Sequence, residues 1–180
     1  MQSPDDVLKF WFEDHGRDDW FAGKPEFDEA VRARFAATHE AVSRGEAYGW
    51  RATPGGRLAE IIVLDQFSRQ LHRGTARAFA QDGMALVLAQ EAIAHGIDKD
   101  MDESHRLFLY MPFQHSESLA IQGISVRLFQ GLANEELLKY ALGHFEVIRR
   151  FGRFCKRNAA LGRESTPEEL QYIETSEGVF

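Results

Sequence analysis

The sequence predicts an all-α protein, and three observations carry that prediction. Apolar residues recur at the helical period, strand-like alternation is scarce, and Pro, Gly and capping residues sit at the ends of the periodic runs. Ser3-Pro4-Asp5-Asp6 sets a cap, a first-turn Pro and two acids ahead of Val7, Leu8 and Phe10 to Phe12. Trp20 and Phe21 fall in a connection. Pro25 opens a second helix whose Phe27, Val31, Phe35 and Val42 form a stripe ending at Gly45. Thr53-Pro54-Gly55-Gly56 is a break, and a third helix covers about Arg57 to Arg73, stopped by Gly74.

Thr75 caps a segment through Phe79, and Asp82-Gly83 breaks or kinks it before Met84 to His95, which Gly96 ends. Asp102 caps a helix that includes Leu107 to Tyr110. Pro112 ends that helix or opens the next, which reaches Phe129. Asn134 caps another, striped by Leu137, Leu138, Ala141, Phe145 and Ile148. Thr166-Pro167-Glu168-Glu169 is the best capping box in the chain. The sum is about eight helices joined by short loops as antiparallel hairpins, in a single domain over 1–180.

Composition narrows the function. The chain has 180 residues, 44% of them hydrophobic, with 14 Phe, enough for a core without covalent staples. A net charge of -7 argues against nucleic acid and anionic membrane as partners. One Cys makes no intrachain disulfide. The first residues lack the basic start and apolar run of a secretory signal, and no apolar run reaches the roughly 20 residues that span a bilayer. A cytoplasmic location is expected.

Against that acidic balance, Arg149 to Arg163 carries six cationic side chains and no acid. Such a run suits an anion site or a set of partners for internal carboxylates. Cys155 lies between Arg153 and Lys156, a setting that favours thiolate. On a wheel of the third helix, Leu64, Phe67 and Leu71 form one face. Leu58, Ile61 and Ile62 begin the other, which continues as Asp65, Arg69, His72 and Arg73. Ionic groups thus extend an apolar stripe. If buried, they need partners, either a ligand or each other. In the helix placed after Pro112, Gln122 shares an apolar face with Leu119, Val126 and Phe129, and with His115 if the first turn is helical. His144 flanks the next stripe. No metal site is assigned, since His-x-Glu at His115 and Glu117 is an unspecific spacing.

Several runs carry a resemblance: Phe10-Trp11-Phe12, Trp20-Phe21, Leu64-Asp65-Gln66-Phe67 with Arg69, and Arg73-Gly74-Thr75-Ala76. Tyr110-Met111-Pro112 with His115-Ser116-Glu117 continues the series. It ends with Arg150-Phe151-Gly152-Arg153-Phe154, Arg157-Asn158 and Leu161-Gly162-Arg163. Over nearly its whole length the chain resembles domain-of-unknown-function family 924, grouped with the tetratricopeptide-like helical superfamily. The resemblance implies an all-helical, TPR-like architecture and implies no activity or cofactor. Two departures stand out: Cys155-Lys156 where the family usually has Pro-His, and Ser68-Arg69-Gln70 where it has Pro-Arg-Asn.

These readings converge on a polar cleft binding a small anionic ligand or an acidic peptide end. Its candidate residues are Asp65, Arg69, Arg73, His115, Glu117, Gln122, His144, Arg150, Arg153, Arg157 and Asn158. The alternatives are a hydrolase with His115 or His144 as general base or as metal ligands, and a TPR-like protein-interaction module. The ligand, any cofactor and the oligomeric state are not specified by the sequence.

Overall fold

A computed structural model of the chain describes residues 1–175. Among these the secondary structure is helical throughout, without a strand. The α-helices are α1 (Pro4–Leu8), α2 (Arg17–Trp20), α3 (Pro25–Ser43), α4 (Pro54–Ile62), α5 (Ser68–Leu71) and α6 (Asp82–Ala94). They continue as α7 (Glu103–Gln114), α8 (Leu119–Gln130), α9 (Glu135–Phe151), α10 (Asn158–Leu161) and α11 (Pro167–Thr175). The count exceeds the expected eight because pieces of four or five residues stand as separate helices. Two compact units emerge: one comprises Met1–Arg73 and Arg77–Leu109, the other Gly74–Ala76 with the described residues from Tyr110 onward.

The first unit rests on a continuous helical rod. Thr53 Oγ1 accepts the Gly56 N–H at 3.0 Å, so α4 begins at Pro54, three residues before the expected start. A Cβ at Gly56 would meet the Trp50 carbonyl oxygen at 2.0 Å, which keeps that position glycine. A π-helical stretch, Val63–Phe67, joins α4 to α5. A second one, Lys9–Asp14, extends α1. Widening the helix there frees carbonyls from the i→i−4 ladder, and the Trp11 carbonyl accepts the Trp20 indole N–H at 2.9 Å. Trp11, Phe35, Phe67 and Phe108 are fully buried. Their rings meet in tilted or edge-on contacts, such as Trp11 with Phe108 at 5.2 Å and Phe35 with Phe67 at 4.9 Å.

In the second unit α8 packs along α9, and Val147, Ile148 and Phe154 are covered by Phe151 and Tyr172. The Asn134 cap accepts the Leu137 N–H at 3.2 Å, and Gly152 ends α9 in the left-handed conformation at φ 70°. The Thr166–Glu169 capping box forms in both directions, at 3.2 and 2.7 Å. One boundary differs from expectation. Pro112 lies inside α7, which runs on to Gln114, and α8 starts only at Leu119. His115 to Ser118 are therefore a connection, and the face shared by His115 and Gln122 on one helix does not exist.

Candidate functional site

The candidate residues divide between the two units. In the first, Asp65 sits in the π-helical stretch with its side chain buried and accepts from the Gln66 amide. Arg69, one turn on, donates to the Asp65 carbonyl oxygen at 2.5 Å and grips Asp82 with two bonds of 3.0 and 3.1 Å. Burial by itself would lower the pKa of Arg69, but the charges of Asp65 and Asp82 raise it above its ordinary value. Arg73 is half exposed, at 51%, and turns outward to a bidentate pair with Asp28 of α3, both bonds 2.7 Å. It is a surface clamp and not part of an interior face.

A Ser–His contact in this unit runs the wrong way for nucleophilic catalysis. Ser68 Oγ donates to the Leu64 carbonyl at 2.5 Å, so His39 Nε2 must donate to Ser68 at 2.7 Å. Burial, then the neighbouring His72 and Arg77, push the pKa of His39 down to about 4. The imidazole is thus a neutral structural donor near neutral pH.

In the second unit the cationic run is largely consumed by carboxylates. Arg149 pairs with Glu146, and Arg150 with exposed Glu168. Arg153 makes two bonds to Glu169, at 2.6 and 2.8 Å. Glu169 is only 3% exposed, and its carboxyl is held down to about 2, first by Arg153 and then by the Thr166 N–H. Arg163 grips Glu117 with bonds of 2.8 and 3.0 Å, reaches Asn158 Oδ1 at 3.0 Å and the Phe154 carbonyl at 3.1 Å. Glu117 also accepts the Phe154 N–H at 2.8 Å. Arg157 donates to the His115 carbonyl at 3.0 Å and lies 4.4 Å over the Phe154 ring. Burial, then the Glu169 charge, push the Cys155 thiol up to about 11. The expected thiolate setting is reversed because burial and the Glu169 carboxylate outweigh the charge of Arg153.

Beside this ionic knot lies a group of polar side chains. His144 Nδ1 is 2.8 Å from the Tyr140 carbonyl, so that nitrogen carries the proton in the neutral ring. Gln114 Nε2 approaches His144 Nε2 at 3.4 Å, and the His115 ring centre is 6.3 Å from that of His144. Gln122, fully buried, spends both amide hydrogens on the carbonyls of Gln114 and Ser116, each at 2.7 Å. Three buried atoms here have no hydrogen-bond partner: Gln114 Oε1, Gln122 Oε1 and Ser125 Oγ.

Of the sequence candidates, Glu117, Arg157, Asn158, His115, His144 and Gln122 thus belong to one chain of contacts in this unit. Arg150 and Arg153 engage α11, away from that chain. The sequence did not flag Gln114, Ser125 or the role of Arg163. Ser125 was detectable, because it lies three residues from Gln122 on the same helical face. Among the described residues, no three His, Cys, Asp or Glu side chains gather in a way able to hold a metal ion. No helix among them is long and apolar enough to cross a membrane.

Comparison with known proteins agrees with this framework. A solved structure of a protein of unknown function from Agrobacterium tumefaciens is 40% identical in sequence. It superposes with a TM-score of 0.91, covering 96% of this chain and 97% of its own. No curated protein matches. The model of the bacterial proteins of unknown function called DUF924 matches residues 7–177. The chain belongs to that family.

Proposed function

We propose that the protein binds a small polar molecule in its second unit, where Gln122 and Ser125 of α8 adjoin Gln114 and His144. One observation carries this reading: three buried polar atoms on adjoining elements have no partner. Buried polar groups are hydrogen-bonded in the great majority of cases, and each left unsatisfied costs about 1–3 kcal/mol. Gln122 and Ser125 are fully buried and Gln114 is 4% exposed, so bulk water does not meet that demand, and a ligand reaches these atoms only when the packing around them opens. The arginines expected to hold an anion support it less well, since Arg69, Arg73, Arg150 and Arg153 each have a carboxylate partner.

A thermal-shift screen tests the reading with four classes: phosphates with carboxylates, polyols, primary amides, and alkylamines with guanidines. A ligand at about 100 times its Kd stabilises the folded state by about 2.7 kcal/mol. One class should raise the midpoint, and Gln114→Leu and Ser125→Ala should each abolish the shift while remaining folded. Silence across all four classes refutes the site.

A hydrolase is the second reading, and the His144 tautomer favours it. With Nδ1 donating to the Tyr140 carbonyl, Nε2 is the basic nitrogen on the Gln114 side. An esterase, phosphatase and amidase panel decides it: turnover lost in His144→Ala supports it, and turnover unchanged rejects it.

A further inference from the structure

We propose that α11 is a detachable strap, held on the second unit by charge more than by apolar burial, which lifts at Thr166 while the rest of the unit stays folded. The one side chain that α11 buries is a carboxylate, Glu169, at 3% exposure. Leu170 is 50% exposed, and Tyr172 and Ile173 are half-buried. By contrast, α9 buries Leu137, Ala141, Val147 and Ile148. Hydrophobic stabilisation follows the apolar area removed from water, so α11 draws little of it.

Its attachments are polar instead. Arg153 holds Glu169 with two bonds, and Arg150 of α9 holds the exposed Glu168. Tyr172 adds a ring contact with Phe151 at 5.1 Å. When the helix lifts, water solvates the separated guanidiniums and carboxylates, which offsets most of what an exposed pair contributes. The chain before the helix is pinned separately. The Glu164 carbonyl accepts from Arg153 at 2.9 Å, and Ser165 Oγ accepts from Asn158 Nδ2 at 2.9 Å. The hinge therefore falls between Ser165 and Thr166, and the Thr166–Glu169 capping box travels with the strap. Elements with few buried apolar contacts open at free energies below that of global unfolding.

Beneath the strap lie Val147, Ile148 and Phe154, with Phe151 and Tyr172 packed against them. The helix rests on the turn at Cys155–Arg157, and the Glu169 carboxylate lies against the Cys155 thiol. Opening bares in one step an apolar cluster flanked by the guanidiniums of Arg150 and Arg153. That is the anion-directed face expected from the run Arg149 to Arg163, and in the closed state an acidic helix of the same chain occupies it. The strap is thus an autoinhibitory contact.

Cys155, 1% exposed and the chain's one cysteine, reports the opening on the full chain. Its modification by a maleimide is followed by mass spectrometry across a urea series, beside global unfolding by near-ultraviolet circular dichroism. At low urea, labelling should run at least tenfold faster than global unfolding allows, with a much smaller dependence on urea. Glu169→Gln should speed it by about tenfold, the loss of roughly one charge-assisted hydrogen bond. Tyr172→Ala, which touches no charge, should speed it too, while Glu146→Gln, on a pair away from α11, should not. Labelling in the wild type with the full urea dependence of global unfolding would overturn the strap. So would rates that Glu169→Gln and Tyr172→Ala both leave unchanged.

Discussion

Replacing Arg163 by Met should show how far one guanidinium organises the segment from Phe154 to Ser165. The substitution removes four hydrogen bonds and leaves Glu117 with the Phe154 N–H alone. Breaking a buried ion pair from one side costs about 3–5 kcal/mol. Glu117 is 29% exposed, so water recovers part of that and about 2 kcal/mol remains. Asn158, 1% exposed, also loses the donor to its side-chain oxygen, worth about 1–2 kcal/mol. The total of about 3–4 kcal/mol lowers the melting midpoint by roughly 6–16 °C at this chain length. Arg163→Lys should recover only part, because an ammonium cannot bridge Glu117, Asn158 and the carbonyl together. A pH series makes the assay specific. Burial would raise the Glu117 pKa, but Arg163 and the Phe154 N–H outweigh it and hold the carboxyl below 4.5. That stabilisation is present above pH 4.5 and fades as pH falls through the folded value, so the gap between wild type and variant should narrow in acid. A midpoint loss below 2 °C, or a gap as wide at pH 3 as at pH 7, would refute this account.

Two further outcomes follow from other buried groups. Glu60 is fully buried and held by Arg51 at 2.8 and 2.7 Å, so Arg51→Met should cost about 3 kcal/mol by urea unfolding, and Arg51→Met with Glu60→Leu should recover most of it. His39 has its pKa lowered from 6.5 to about 4. Its contribution is complete above pH 6.5, and the unfolding constant should rise toward tenfold per pH unit on acidification to pH 4. In His39→Asn that share of the slope should vanish, and an unchanged slope would exclude His39 as its source.

The helices were legible where local chemistry decides them. The caps at Ser3, Asn134 and Thr166 all accept the expected backbone N–H. Pro112 misled because a proline is tolerated within a helix when neighbours absorb the lost bond, and nothing in the local sequence reports that tolerance. The wheel of the third helix assumed 100° per residue and crossed a π-helical stretch at 63–67. Beyond it the phase is wrong, so the burial of Ser68 and Gln70 went unseen. For the site, residue types were readable and pairings were not. The cationic run looked like an anion receptor because Glu117 lies 46 residues from Arg163 and Glu169 lies 16 from Arg153. Which acid a guanidinium meets is a property of the folded chain. The orphan amide oxygens of Gln114 and Gln122 could not be inferred at all, since an orphan acceptor exists only once every donor around it has been assigned.

The widened turn at Val63–Phe67 also sets a limit on how this rod can be edited. Excising one residue there would restore ordinary winding and leave the downstream faces nearly where they are, because the widened turn holds about one residue more than an α-turn. Ser68 would stay beside His39 and Arg69 beside Asp82. The same deletion in the regular part of α4 would turn every later side chain by about 100°, so relatives with a rod one residue shorter should have lost it at this turn.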